Sequence, residues 1–415
     1  MTYFSQSEFV KTFQCHSIAK KVSTPLYIYN ADIILKSLEV LKKNLAAQIP
    51  QNLLIRYAVK ANTNHAILGL LAKQGIGAEV VSGGELWRAL KAGIPSEKIV
   101  FSGVGKTLSE IETALDHNIE QLSIESIEEL HFLANLSRPA NISLRISPDI
   151  DAMTHNKITT GRWSDKFGMP LDQLPSAFAI LQNNPFLQFL GFSVHLGSQI
   201  SDVNTYRQAF RLLNALRSNV PGGLTVKRLD LGGGFFVPYH SDQSPFDWHT
   251  YANVIKSEFN SFPGDIVIEP GRFLVAQAGI LLTKILYIKK TKKKTFVVVD
   301  AGMNDMMRTA LYDMSHPIIS CEDMNTDKTQ TVDVVGPVCE TSDTFAKDII
   351  LPASLKQGDL LAITHTGAYG ASLSSLYNSR PFIGEVLIEN QKPYLVRQAV
   401  LAHHMSAFDT YRELT

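Results

Sequence analysis

The segment LLIRYAVKAN places a lysine where chemistry is possible. In an extended run, side chains alternate between faces. Leu53, Ile55, Tyr57 and Val59 share one apolar face, while Arg56, Ala58 and Lys60 share the other. If the run is a strand of a β/α barrel, the apolar face meets helices. Lys60 then reaches the lumen at the C-terminal end of the strand, where barrel enzymes carry their catalytic groups. A buried ammonium is costly unless paired or neutralised. Two readings fit: a lysine held in a buried ion pair, or an amine that captures an aldehyde cofactor as a Schiff base.

Three further segments end in residues that suit such a cofactor. LDLGGGFF carries Gly232, Gly233 and Gly234, whose missing side chains let backbone N–H groups approach phosphate oxygens. A tight turn is the plainer use of three glycines, but barrels often bind phosphate after their seventh and eighth strands. IEPGR places Glu269, Gly271 and Arg272 at the next strand end. A carboxylate facing a pyridine nitrogen keeps it protonated, the state in which pyridoxal 5′-phosphate (PLP) acts as an electron sink. Arg272 suits a bidentate carboxylate contact, and a structural Glu–Arg pair is the alternative. SVHLGSQI supplies His195, able to lie against a ring, and Ser198, near enough in sequence to add a phosphate contact. A single barrel histidine is more often structural, yet four strand ends together supply an amine, a ring neighbour, a phosphate cradle and a carboxylate.

Other candidates lie further along. AGMNDMMRTALY sets Arg308 and Tyr312 on one face if the segment is helical, and both suit a carboxylate. GPVCETSDTFAKD places Cys339 beside Glu340 in a polar stretch, where a thiol could deliver a proton to a carbanion. GAYGASLSSLYNSRP reads as a helix offering Tyr369 and Tyr377, with ordinary aromatic packing as the alternative.

These residues need elements to position them. Short apolar runs at Leu53–Val59, Ala78–Val81, Lys98–Phe101, Gln121–Ile124, Ile142–Ile146, Gly191–His195, Lys227–Leu231 and Ile266–Glu269 alternate with helical patterns such as His65–Gln74, Glu85–Ala92 and Leu108–His117. Eight βα units in succession predict a (β/α)8 TIM barrel over residues 25–275, with a doubly wound sheet as the competing α/β arrangement. The crossover at residues 147–169 is long and polar, which suits either a substrate-side lid or a plain surface insertion. Beyond Glu269 the runs Ile280–Ile288, Thr295–Asp300, Thr331–Val335, Leu360–Ile363, Glu385–Ile388 and Tyr394–Gln398 lack long helices between them. They predict a second, mainly antiparallel β domain from residues 276–415, joined by residues 1–24.

Composition narrows the function. A chain of 415 residues suggests two cores, and 45% hydrophobic residues suffice to fill them. Lys plus Arg (39) equals Asp plus Glu (39), so no charge excess calls for nucleic acid or an anionic membrane. The basic run Lys289, Lys290, Lys292, Lys293 and Lys294 is short and reads as a solvated hairpin tip. Cys15, Cys321 and Cys339 lack zinc-ligand spacing and are odd in number, which fits a reducing, cytoplasmic setting. No leader-like or membrane-spanning apolar run is evident, so neither export nor a membrane is expected.

Taken in series, YAVKAN, EVVSGGEL, HLGSQI, LDLGGG, EPGR, GPVCETSD and YNSRP resemble the diaminopimelate decarboxylase family, within the alanine-racemase-like, fold-type III class of PLP enzymes. Phe236 and Leu376 stand where that family usually has Gly and Asn, and the Arg162–Asp165 wording is also not the common one. The resemblance implies that Lys60 holds PLP, that His195 stacks on its ring, and that Ser198, Gly232, Gly233, Gly234, Gly271 and Arg272 surround it near the phosphate. It implies Glu269 opposite the pyridine nitrogen, Arg272, Arg308 and Tyr312 on a distal substrate carboxylate, Glu340 on a distal ammonium, Tyr377 on cofactor and substrate, and Cys339 as proton donor. It further implies a homodimer whose active sites are shared, with Cys339 and Glu340 supplied by the partner. The expected reaction is decarboxylation of meso-2,6-diaminopimelate to L-lysine and carbon dioxide. The alternatives are a homologous PLP decarboxylase acting on an ornithine- or lysine-like substrate or in siderophore or antibiotic synthesis, and a non-catalytic PLP-binding protein.

Overall fold

A computed structural model describes residues 6–150, 165–322 and 328–410. The chain divides into two compact units, Ser37–Val237 with Pro245–Phe273, and Met1–Lys36 with Pro238–Ser244 and Leu274–Thr415. Its first strand, β1 (Leu26–Asn30), is followed by eight parallel strands that form the first unit's closed barrel. These are β2 (Leu53–Ala58), β3 (Gly77–Val80), β4 (Ile99–Phe101), β5 (Gln121–Ile124), β6 (Ala140–Arg145), β7 (Leu187–Ser193), β8 (Arg228–Asp230) and β9 (Asp265–Ile268). Closure is made by β2 against β9, with Leu53, Leu54 and Ile55 opposite Ile266, Val267 and Ile268.

Helices between the strands start where the sequence supplies a cap. Asn64, Ser82, Thr107, Ser126, Asp202 and Asp247 each accept a backbone N–H of the following first turn. Thr107 and Glu110 complete a reciprocal capping box. The outer faces of the strands pack on these helices, and the lumen is polar instead. Arg56 donates to Glu120 through Nε (2.6 Å) and Nη2 (2.8 Å), and Arg228 Nη2 lies 2.9 Å from the same carboxylate. Gln121 donates to Ser143 Oγ (2.8 Å), and Ser123 and Ser193 share a hydrogen bond of 3.0 Å.

The second unit is a nine-stranded sheet containing β1. Its later strands are β10 (Gly279–Lys290), β11 (Thr295–Val299), β12 (Ile318–Ser320), β13 (Thr329–Val335), β14 (Thr344–Pro352), β15 (Leu360–Ile363), β16 (Gly384–Glu389) and β17 (Lys392–Arg397). Most pairings are antiparallel; β1 with β16 and β11 with β13 are parallel. The helices Gln6–Phe13 and Cys15–Ala19 place Phe9, Phe13 and Ile18 in one apolar cluster with Leu26, Ile28, Ile280, Leu282 and Val386.

The structure amends several expectations. Residues 26–30 lie within the 25–275 stretch expected to be barrel, but pair with β10 and β16, because LYIYN is a fully buried run whose neighbours are sheet strands. β12 and β14 were not expected: one is three residues long, and in the other Lys347 and Asp348 interrupt the apolar alternation. GAYGASLSSLYNSRP is not a helix. It forms two short 3-10 turns, Ala371–Leu373 and Tyr377–Ser379, because Tyr369, Asn378 and Ser379 take left-handed backbone angles that a helix cannot contain. Residues 151–164 of the long crossover, including Arg162, lie outside the described residues.

The Glu120 carboxylate neutralises two poorly exposed guanidinium groups in the barrel. Glu120→Gln strands Arg56 and leaves Arg228 with only its 3.5 Å ion pair to Asp265, at a cost of about 3 kcal/mol. The expected outcome is a lower urea midpoint followed by far-UV circular dichroism; an unchanged midpoint would contradict the assigned pairing.

Candidate active site

Strand β2 stops at Ala58, and Lys60 sits in the 3-10 turn Val59–Ala61 immediately beyond it. The expected strand through Val59 is therefore one residue too long. The turn still delivers the side chain to the lumen: Nζ donates to Glu79 Oε2 at 3.0 Å. Glu79 comes from β3, where it is the register partner of Ala58. The carboxylate is 1% exposed and the lysine side chain 33%, so a buried acceptor holds a donor that can still be reached. Gly271 packs this turn from the other side. A side chain there would meet Ala58 Cβ and Ala61 Cβ at 3.1 Å, and Pro270 C=O accepts the Ala58 N–H.

A cavity at the C-terminal ends of the strands is lined by Lys60, Glu79, Arg145, His195 and Glu269, with Ser102, Ser123 and Ser193 below. A larger cleft of about 930 Å³ opens at the opposite ends of the strands, around Asn141, Phe186 and Lys227, away from these groups. His195 follows β7 by two residues rather than ending it. Its Nδ1 accepts the Gly233 N–H (3.3 Å), which assigns any single ring proton to Nε2. Burial, reinforced by the Lys60 and Arg145 charges, pushes this imidazole well below its usual range. It is neutral, so its 3.9 Å approach to Glu269 is no ion pair.

Glu269 is pushed well above the usual carboxylate range, by burial first and then by Asp230 and Glu79. Asp230, the last residue of β8, is also raised by burial. Its Oδ1 accepts the Gly232 N–H at 2.9 Å, and its buried Oδ2 has no hydrogen-bond partner among the described residues. Two adjacent buried carboxyls thus bind protons more tightly than either would in water.

The glycine turn admits no side chain. A Cβ on Gly233 would lie 2.2 Å from Glu269 O, and one on Gly234, whose φ is +86°, 2.4 Å from Gly197 O. Tyr206 fixes the turn from below by donating to Gly233 O (3.1 Å), within a cluster of Phe210, Phe235, Phe246, Trp248 and Tyr251. Arg272 is buried and donates to Ser198 Oγ from Nη2 (3.0 Å) and Nε (3.3 Å). A reachable amine, a carboxyl of raised proton affinity and a turn closed to side chains fit a phosphate-bearing pyridine aldehyde.

The barrel unit therefore brings together Lys60, His195, Glu269 and the glycine turn, and pairs Ser198 with Arg272. In the sheet unit, Arg308 is buried and opens the short helix Arg308–Tyr312. Its Cζ lies 6.0 Å from the Tyr312 ring centre and 5.7 Å from that of Tyr369. Cys339 and Glu340 are exposed; Asn378 Oδ1 accepts the Cys339 N–H (2.8 Å), and Tyr377 donates to Glu340 Oε2 (3.2 Å). That hydrogen bond holds the Tyr377 phenol above its usual range.

Sequence reading missed Glu79, Asp230 and Arg145. Glu79 is the one charge in an otherwise apolar strand, whereas Asp230 and Arg145 end strands that already carry other polar residues. Arg145 pairs with Glu125 (2.7 Å), which also accepts the N–H groups of Gly103 and Gly168. Glu85 was missed as well. It stands in the first turn of the helix Gly83–Lys91, and burial together with the Glu79 charge raises it to about 7, against the pull of the Val81 N–H.

Glu85 therefore binds its proton more tightly folded than unfolded, and stability falls as pH rises from about 4.5 to 7. Glu85→Gln removes that fall. Relative to the parent, the variant should gain on the order of 2 kcal/mol between pH 4.5 and pH 8, by the linkage of about 1.4 kcal/mol per pH unit. Urea midpoints at the two pH values check this, and an equal offset at both would contradict it.

Residues 33–276 match the family described as pyridoxal-dependent decarboxylase, pyridoxal binding domain. The diaminopimelate decarboxylase of Zymomonas mobilis is 41% identical over 387 residues, 92% of this chain and 91% of that one. That of Helicobacter pylori strain J99 is 41% identical over 391 residues, 93% and 95% of the two chains. The crystal structure of diaminopimelate decarboxylase from Helicobacter pylori complexed with L-lysine superposes with a TM-score of 0.88 at 40% identity, covering 94% of this chain and 98% of that one. With the barrel, the lysine turn and the glycine cradle in place, the chain belongs to the diaminopimelate decarboxylase family of pyridoxal-dependent decarboxylases.

Proposed function

We propose that this protein decarboxylates meso-2,6-diaminopimelate to L-lysine and carbon dioxide, with PLP carried on Lys60. The observation that carries the reading is the Lys60 amine, held at the barrel rim by Glu79 in the same cavity as the raised carboxyl of Glu269. When bound, PLP supplies an electron sink for the pair left at Cα as the C–C bond to the carboxylate breaks.

The chain's own residues do the rest. Glu79 orients the Lys60 amine and balances its charge. Glu269 offers a carboxyl to the pyridine nitrogen, and its high proton affinity, shared with Asp230, suits a strong hydrogen bond there. His195, neutral, presents a flat ring rather than a competing cation. The closed glycine turn, Ser198, Gly271 and Arg272 form the phosphate end. Arg272, Arg308 and Tyr312 receive the distal carboxylate, Glu340 the distal ammonium, and Tyr377 orders Glu340 by its hydrogen bond while touching cofactor and substrate. Cys339 gives its thiol proton to Cα after carbon dioxide leaves. The exposure of Cys339, Glu340 and Tyr377 suits residues completed by a second copy, and we assign a homodimer with shared active sites. Among the described residues no helix is long and apolar enough to cross a membrane, and all three cysteines are free. Both support a cytoplasmic assignment.

Purified holoprotein should release carbon dioxide and L-lysine from meso-diaminopimelate, and none from ornithine or lysine. Release from ornithine or lysine alone would reassign the substrate. On the same assay, Cys339→Ala should bind PLP normally and turn over about 10²-fold more slowly. Near-parental turnover would place the proton donor elsewhere.

A further inference from the structure

Arg308 is not aimed by its own helix, which is only five residues long. It is aimed by a histidine from the far side of a loop. His316 is buried and lies two residues before β12. β12 pairs with β15, placing Ile318 opposite Ile363, and Thr364 N–H donates to Pro317 O (2.9 Å), so the two chains run together at this point. The ring of His316 is thereby pinned. Its Nδ1 lies 2.9 Å from the Thr364 carbonyl oxygen, and its edge is boxed by Tyr239, whose ring centre is 5.0 Å away at 84°.

A carbonyl can only accept, so Nδ1 carries the hydrogen. Nε2 is then a bare lone pair, and it receives the Nε–H of Arg308 at 3.3 Å. A second ring proton would confront that donor directly, so the imidazole is neutral here. The arrangement has a geometric consequence. Nε lies on the side edge of the guanidinium, and engaging it there orients the Nη1/Nη2 edge, the fork that binds a carboxylate with two parallel bonds. Because His316 is neutral, it fixes the direction of the guanidinium without cancelling its charge. Tyr312 and Tyr369, 6.0 and 5.7 Å from Cζ, bound the same group with rings.

We propose that His316 is a positioning residue for substrate, setting the Arg308 fork on the distal carboxylate of an α-amino acid. This rests on the assignment of Arg308 to that carboxylate. The carboxylate survives the reaction, since L-lysine retains it, whereas 1,5-diaminopentane is the same chain without it.

The test measures binding of L-lysine and of 1,5-diaminopentane to the PLP-loaded dimer, with KM and kcat for diaminopimelate, in the parent, His316→Leu, His316→Gln, Arg308→Gln and the His316→Leu/Arg308→Gln double variant. His316→Leu should raise the L-lysine Kd and the KM about tenfold, the size of one hydrogen bond to a charged group. It should leave 1,5-diaminopentane binding, the PLP absorption and kcat within about twofold. His316→Gln, whose amide can both accept from Arg308 and donate to Thr364, should recover most of the loss. In the Arg308→Gln background His316→Leu should add nothing. Should the leucine variant not fold, His316→Asn, whose shorter side chain cannot span both partners, gives the same readouts. Equal weakening of both ligands marks a merely structural histidine and overturns the proposal. Loss of L-lysine binding in Arg308→Gln but not in His316→Leu overturns the role of His316 alone. No loss in Arg308→Gln overturns the underlying assignment of Arg308 as well.

Discussion

A single ion pair, Lys60 with Glu79, gives the barrel rim its chemistry. Glu79 is sealed in the lumen, and a carboxylate there needs a counter-charge. Lys60 supplies it from a turn that leaves one-third of its side chain open. The strand-to-strand register of β2 and β3 sets that distance, and the close packing of Gly271 on Ala58 and Ala61 holds the turn. The charge then spreads through the cavity. Burial lowers His195 and raises Glu269 and Glu85; the Lys60 charge reinforces the first shift and moderates the other two. A site that must hold an electron-withdrawing ring needs this division: a neutral imidazole, a carboxyl with high proton affinity and an amine within reach.

The rest of the barrel serves that rim. Its lower lumen is filled with a salt-bridged and hydrogen-bonded layer of Arg56, Glu120, Gln121, Ser143 and Arg228 rather than with branched aliphatics. Polar filling of this kind specifies strand register, because a slip of one residue would turn each charge to the helical layer. Beside it, the aromatic cluster around Tyr206 braces the glycine turn from outside, so the backbone groups of the turn are fixed without a side chain of their own. The sheet unit solves a different problem. Its polar loops gather Cys339, Glu340 and Tyr377 on one exposed patch, while Arg308 is buried and directed through His316.

The barrel was legible because its signals are local. Most strands are short apolar runs and six helices begin with a side-chain cap, so eight units could be read in order with ends off by up to four residues. Lys60, Glu269 and the three glycines stood out because charge and repeated glycine are rare at such strand ends. The sheet was less legible. β1 carries the same apolar run as a barrel strand, and only its partners β10 and β16, more than 200 residues distant, reveal where it belongs. The turns around Tyr377 were read as a helix because left-handed angles at Asn378 and Ser379 leave no mark in composition. Glu79, Asp230 and His316 escaped for a common reason: their roles depend on contacts made across strands or loops, and single-residue type and spacing do not encode a contact. What the family motifs added was the assignment of roles, which residue chemistry alone left divided between an ion pair and a cofactor amine.

The most direct measurement of the central claim is covalent trapping. Holoprotein is reduced with borohydride, digested, and searched by mass spectrometry for the pyridoxyl adduct, alongside Lys60→Ala treated in the same way. The adduct is predicted on the peptide containing Lys60, with no adduct and no visible cofactor absorption in the variant. An adduct on another lysine, or an unchanged reducible band in Lys60→Ala, would contradict the account.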